Sequence, residues 1–247
     1  MAAIQSGFEV ISVSEVAALA IVETRRCLYL RLTRPLVMKV LPMSLNLPPE
    51  PEFGQAIDLV ERQQGVLNFL ATRRSASALA LTEPGPDAAQ LTDLLRLAAR
   101  VSDHGKLFPW RFIVLQGKAK ARFAEGLHDI AKTRSDAEKA QTALGKLINP
   151  PLAVAVISSP KPGNIAEWEQ VLSAGAVCAS LVNAASAAGF GANWITDWYA
   201  YNAAATTLLG LDAGERVAGY IYIGTAKDAP LERARPNLDG LTTVWGS

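Results

Sequence analysis

Residues 171–195 run for 25 positions without one charged side chain. A stretch of that length is long enough to cross a bilayer as a helix. Its content points elsewhere. Alanine, serine and glycine dominate, Asn183 and Asn193 lie inside it, and Glu167 and Glu169 stand just before it. A helix of small side chains, apolar nearly all round, reads as a core helix that lets a neighbour approach closely. Any fold for this chain must wrap that helix, and a composition of 50% hydrophobic residues supplies the material.

The other elements can be placed around it. Residues 152–157 (Leu-Ala-Val-Ala-Val-Ile) and 217–223 (Val-Ala-Gly-Tyr-Ile-Tyr-Ile) are strand-length apolar runs, which predicts two central strands. The long helix is expected over about residues 166–188, with Gly189 as its C-cap. A short extended piece over 190–196 and a helix over 199–209 follow. Upstream, Ile57, Leu59, Val60, Val66, Leu67, Phe69 and Leu70 fall at roughly helical spacing, which predicts a helix over 53–72. Pro84-Gly85-Pro86 breaks the chain, and Asp87 opens a helix whose apolar face is Leu91, Leu94, Leu95, Ala98 and Val101. Residues 102–111 form a loop running into a strand at 112–115. Residues 118–146 read as one or two solvated helices, stopped by Asn149-Pro150-Pro151. After Gly224-Thr225 the tail is expected to be extended. No repeat and no charge-run linker divides residues 55–247, so this part reads as a single α+β domain.

The start of the chain is different. Residues 4–22 are apolar with scattered polar positions, and Arg25, Arg26, Arg31, Arg34 and Lys39 follow. There is no basic region at the very start and no clear cleavage site, so a secretory signal is not indicated. The expectation is that residues 1–42 stand apart from the main fold, with Met38 or Met43 as the true start. The other reading is an extra helix or strand packed on the domain. Pro48, Pro49 and Pro51 make a linker. The partition is therefore 1–52, an extension and linker, and 53–247, the domain.

With 24 basic against 23 acidic residues, the chain has no general attraction for nucleic acid or an anionic membrane. An anionic ligand would need a local cluster, and Thr72-Arg73-Arg74-Ser75 is one. Two guanidinium forks match phosphate oxygens, and the serine hydroxyl adds a donor. The plainer reading is a solvated helix end whose cations complement the dipole. His104 and His128 are the two histidines, and neither has metal-ligand spacing with cysteine or carboxylate. Neither a G-x-S-x-G elbow nor a P-loop is present. Gly189-Phe190-Gly191-Ala192-Asn193-Trp194 lacks the third glycine of a dinucleotide fingerprint and follows a helix where that motif follows a strand. Cys27 and Cys178 allow at most one disulfide, and a reducing cytoplasm fits best. An anion cradle with so few acid–base side chains suits a protein whose bound cofactor carries the chemistry.

Four blocks, in order and spacing, resemble the nitroreductase family of FMN-dependent oxidoreductases, above all its compact bacterial NAD(P)H nitroreductases. They are Thr72-Arg73-Arg74-Ser75; Ala99-Arg100-Val101-Ser102-Asp103-His104-Gly105 with Pro109-Trp110-Arg111-Phe112; Trp168-Glu169-Gln170 through Ser173-Ala174-Gly175 to Gly189–Trp194; and Gly219–Thr225 before the tail. The likeness covers about residues 60–245. It implies a mixed, mostly antiparallel sheet flanked by helices, built as an intertwined homodimer with FMN at the interface. It also implies hydride transfer from NAD(P)H through the flavin to nitroaromatics, quinones or similar acceptors by a ping-pong scheme, with no catalytic side chain required.

By the same resemblance, Arg73, Arg74 and Ser75 hold the FMN phosphate and ribityl chain from one subunit, and Arg100 and His104 reach it from the other. Trp194, Ile195 and Thr196 match the segment beside the flavin ring. Arg233 and Arg235 lie where the family's tail returns a basic residue to the phosphate, with Arg235 favoured. Other readings stand beside these. His104 orders its loop with Asp103, Trp194 is core, or the small-residue helix is buried within one subunit. Ser102-Asp103-His104-Gly105 replaces the Ser/Asn-rich block of many nitroreductases, which leaves substrate range open. The rival functions are another chemistry on the same fold (a dehalogenase or a flavin-destroying enzyme), a non-catalytic flavin sensor, or a phosphate-binding domain without flavin.

Overall fold

At the centre lies β3 (Leu152–Ser158), every residue of which is buried. It pairs antiparallel with β2 (Trp110–Gln116) on one side and β5 (Arg216–Ala226) on the other. The far edge of β5 takes β4 (Gly191–Ile195) along residues 220–224 and the two-residue β1 (Leu81–Thr82) at its end. The apolar runs at 152–157 and 217–223 are thus the middle of the sheet. The resemblance implies a mixed, mostly antiparallel sheet, and every pairing among the described residues is antiparallel. This computed structural model describes residues 45–246, so the expectations for residues 1–42, for starts at Met38 or Met43, and for Cys27 lie outside the described residues.

The central strands β3 and β5 are apolar along most of their length because both faces of the sheet are covered. Ala153, Ala155, Ile157, Tyr220 and Tyr222 enter one core, with α3 (Gly117–Lys132), α5 (Gly145–Ile148) and α7 (Ala203–Leu209). Leu152, Val154, Val156, Ile221 and Ile223 enter the other, with α2 (Ala88–Ala98) and α6 (Glu167–Ala187). The result is an α+β fold of three layers. Asp87 starts α2 through a capping box, accepting from the Gln90 backbone N–H at 2.8 Å while the Gln90 side chain accepts from the Asp87 N–H. Gly189, at φ +86°, closes the end of α6 as its pattern predicts.

Helix α6 is the charge-free stretch, and it has two apolar faces. Ser173, Ala174, Val177, Cys178, Leu181, Val182 and Ala185 are buried. Burial pushes the Cys178 thiol up to about 12, which makes it an inert packing residue. The opposite side carries Trp168 and Leu172, 69% and 54% exposed, in line with exposed Ala176 and Ala179. The helix is long and apolar enough to cross a membrane, yet half of that stretch is buried within the protein.

Several expected boundaries differ. The helix expected at 53–72 is only α1 (Gln64–Thr72), with no buried residue, while Phe53, Leu59 and Val60 are more than 90% exposed. An amphipathic stretch is held helical mainly by what it packs on, and this one is nearly all exposed, with Phe53 under Lys106 Nζ at 4.9 Å and Phe69 half-buried. Residues 118–146 split into α3, α4 (Ala137–Ala143) and α5, broken where Arg134 folds onto Asp136 at 2.8 Å. The helix expected at 199–209 becomes a single turn at Trp198–Ala200 and then α7, because the Asn202 side chain caps a new start by accepting from the Ala205 N–H at 3.0 Å. The proline-rich linker is docked: Arg96 Nη2 donates to Pro48 O at 3.0 Å, and Leu45 packs against the α2–α6 core.

One ion pair ties β2 to the loop before β5. Arg111 Nε and Nη2 donate to Glu215 Oε1 and Oε2 at 2.8 and 2.6 Å, and Arg111 Nη2 also reaches Gly210 O at 2.9 Å. The Arg111 hydrogen bonds, with a further one from the Asp212 backbone, outweigh burial and lower the Glu215 carboxyl to about 2. The unfolded chain titrates this group near 4.5. The pair therefore stabilises fully above about pH 4.5, and its contribution fades as pH falls through about 2. Glu215→Gln is expected to cost roughly 1–3 kcal/mol at pH 7 in urea unfolding. The gap between variant and wild type should close on the way down from pH 4.5 to 2; a gap constant with pH would refute the assignment.

Candidate functional site

The two arginines leave the last turn of α1, closed by the Arg73 N–H on Phe69 O at 2.8 Å. The chain then extends and is bolted to β4. The Ala76 N–H donates to Ala192 O at 3.0 Å, and Asn193 Nδ2 donates back to Ala76 O. Gly191 permits the approach, since a Cβ there would meet Leu81 Cδ2 at 2.6 Å. The segment from Gly189 to Trp194, which fails as a dinucleotide fingerprint, is instead the seat of the arginine segment. Ser75 lies half-buried between the two anchors.

Beside this seat is a cavity of about 410 Å³ whose lining includes Arg73, Arg74, Gly189, Thr225, Lys227 and Asp228. Arg73 Nε is buried and has no hydrogen-bond partner among the described residues. A buried guanidinium donor left unmatched costs free energy that an anionic acceptor recovers. Three cations against one carboxylate, with an orphaned guanidinium N–H, fit a phosphate group.

The tail comes back to the same place. Arg74 Nε donates to Leu231 O at 3.1 Å and lies 3.7 Å from Glu232 Oε1. Arg235 donates to that same oxygen from Nε at 3.1 Å, and its Nη2 pairs with it at 2.9 Å. Arg235 is thus joined to the cradle through a carboxylate, whereas Arg233 contributes only its backbone N–H to Glu232, at 2.8 Å.

Arg100 and His104 lie elsewhere. His104 Nδ1 is 2.8 Å from Glu169 Oε2 in the first turn of α6. Its loop is ordered by Asp103, whose carboxylate accepts from the N–H groups of Leu107 and Phe108 at 3.1 and 2.8 Å. His104 thus ties this loop to α6 through Glu169, beside the turn that Asp103 orders. The loop has unusual backbone: Gly105, Lys106 and Phe108 have φ of +78°, +54° and +47°. Helix α6 holds it. Ser173 Oγ donates to Ser102 O at 2.7 Å and accepts from Trp110 Nε1 at 3.2 Å, while Gln170 pins the Lys161 and Ile165 backbone. Arg100, exposed at the end of α2, lines a cleft with Arg96, Pro48 and Pro49. Trp194 is 42% exposed, laid over Gly219 with Nε1 on Ala218 O at 3.2 Å. Ile195 packs against the tyrosine core, and Thr196 is exposed.

The structure thus gathers Arg73, Arg74 and Arg235, and separately His104 with Glu169. Ser186, which lines the arginine cavity, follows Glu169 by 186 − 169 = 17 residues on one helix. At 1.5 Å per residue the two groups are about 25 Å apart, beyond the reach of one small ligand. Sequence reasoning missed Lys227 and Glu232 on one side and Glu169, Gln170 and Ser173 on the other. Their only signal was their place inside or beside the quoted blocks.

An α+β protein with a basic cavity of about 410 Å³ at the end of a sheet covered by helices on both faces is the class that fold and site define. Residues 70–225 match the family model of the Nitroreductase family, and the chain belongs to that family. It is 32% identical over 161 residues to a protein of Escherichia coli K12 named "Putative NAD(P)H nitroreductase YdjA", spanning 64% of this chain and 87% of that one. A Haemophilus influenzae protein with the same descriptive name is 33% identical over 166 residues, 66% of this chain and 89% of that one. Among solved structures, a nitroreductase-like family protein from Bacillus cereus superposes with a TM-score of 0.66 at 21% identity, covering 78% of this chain and all of that one. A nitroreductase with bound FMN from Bacteroides fragilis gives 0.57 at 20% identity, covering 72% and 98%. These likenesses confirm the fold.

Proposed function

We propose that this chain is an FMN-dependent NAD(P)H oxidoreductase that reduces nitroaromatics, quinones or similar small acceptors, working as a homodimer in the cytoplasm. The observation that carries the reading is the buried, unmatched Arg73 Nε beside Arg74 and Lys227 in the cavity at the end of β5. Arg73, Arg74 and Arg235 would hold the phosphate, with Ser75 next to them. FMN bound there would supply the redox chemistry, relaying reducing equivalents from NAD(P)H to the acceptor in a ping-pong scheme. The chain's own residues bind, orient and shield, which accounts for the thin acid–base inventory.

The separation of the two clusters supports the dimer, because both match FMN-contacting positions of the family. A two-fold axis that lays α6 antiparallel on its copy brings the start of one helix beside the end of the other. His104 and Arg100 of one protomer then come near the arginine cavity of its partner. The exposed stripe of Trp168, Leu172, Ala176 and Ala179 is the surface such packing would cover. The unpartnered apolar residues at 53–70 add area to it.

The test is the absorption spectrum of the purified protein, anaerobically, before and after NADPH. Flavin bands that bleach and return with a nitroaromatic or a quinone are expected. Bands that do not bleach would leave a flavin protein of another chemistry or a sensor. A protein that takes up no FMN would overturn the reading.

A further inference from the structure

The cradle already holds an anion of its own. Glu232 Oε1 accepts from the Arg233 N–H at 2.8 Å and from Arg235 Nε at 3.1 Å, with Arg235 Nη2 at 2.9 Å and Arg74 Nε at 3.7 Å in ion-pair range. Convergent guanidinium donors on one oxygen are also what a phosphate oxygen asks for. The tail between Lys227 and Pro230 forms a wall of the arginine cavity, so this carboxylate stands at its rim. We infer that Glu232 is an internal competitor for the ligand's phosphate, sharing Arg74 and Arg235 with it and so setting how strongly phosphate-bearing flavin is held. This rests on the flavin reading above.

The physical ground is charge. A phosphate brought to Arg74 and Arg235 meets a carboxylate that already neutralises them, and two anions on one pair of cations repel. Binding must therefore draw the arginines away from Glu232 or move the tail. The alternative role has the opposite sign: if Glu232 orients Arg235 toward the phosphate, removing its charge weakens binding.

Glu232→Gln separates the two, because it keeps the shape and an accepting oxygen while removing the charge. Its side chain is 59% exposed, so the variant should fold. FMN and riboflavin, which lacks the phosphate, are each titrated into the flavin-free protein by quenching of flavin fluorescence. The expected result is FMN affinity higher by roughly three- to fivefold with riboflavin unchanged, the size set by exposed ion pairs. The gain should shrink as salt is raised. In parallel, FMN should alter the rate of tryptic cleavage after Arg233, which Ala234 follows, in the wild type. An FMN-to-riboflavin ratio that stays put or falls overturns the inference while leaving the flavin function standing. Absence of flavin binding by both proteins overturns the function and the inference with it.

Discussion

Arg73→Ala combined with Arg74→Ala is expected to give a folded protein that purifies without colour and takes up FMN at least about a hundredfold more weakly than wild type. Each lost charge-assisted hydrogen bond to phosphate is worth about 1.5–3 kcal/mol, and each 1.4 kcal/mol is a factor of ten. Folding should survive, since α1 buries no residue and the anchors on β4 are made by Ala76 and Asn193. The Arg73 substitution should carry more of the effect, because its Nε is buried and unmatched whereas Arg74 also serves Leu231 O. Arg73→Lys should fall between, keeping charge but losing the planar fork. Riboflavin binding should change far less than FMN binding. An equal loss for both ligands, or none, would refute the phosphate assignment.

The second large effect concerns the exposed face of α6. If α6 packs on its copy as proposed, Ala176→Glu with Ala179→Glu should give a monomer in sedimentation velocity where the wild type is a dimer, and abolish FMN retention. Both positions face outward within one protomer, so carboxylates there should leave the protomer's own stability within about 0.5 kcal/mol. Across a two-fold axis the same four carboxylates would be buried next to one another without cations, which costs several kcal/mol. Loss of flavin without any mutation near the arginines would tie cofactor binding to assembly. A wild type that sediments as a monomer with FMN bound would sink the two-subunit site.

Much of this architecture was legible in the chain. The runs at 152–157 and 217–223 are continuous rather than alternating, and that pattern has one physical cause, burial on both faces of a sheet. Asp87 and Gly189 marked helix ends because capping is local chemistry written in one or two residues. The helix expected over 53–63 failed for the complementary reason: its spacing is apolar and periodic, but periodicity does not say whether a partner surface exists. The arginine pair was visible as a charge fork. The residues that turn it into a site were not, since Lys227 and Glu232 arrive from more than 150 positions away and neither follows a local pattern.

The sequence alone therefore determined the sheet's central strands, the long small-residue helix and an adjacent arginine pair at a helix end, because each rests on near neighbours in the chain. Only the tertiary structure decided that α6 is apolar on two sides, that Arg73 keeps a buried donor unmatched, and that His104 stands at the opposite end of the same helix. Those facts depend on which distant segments meet, and that is settled by packing the sheet between its helices rather than by the preference of any single stretch.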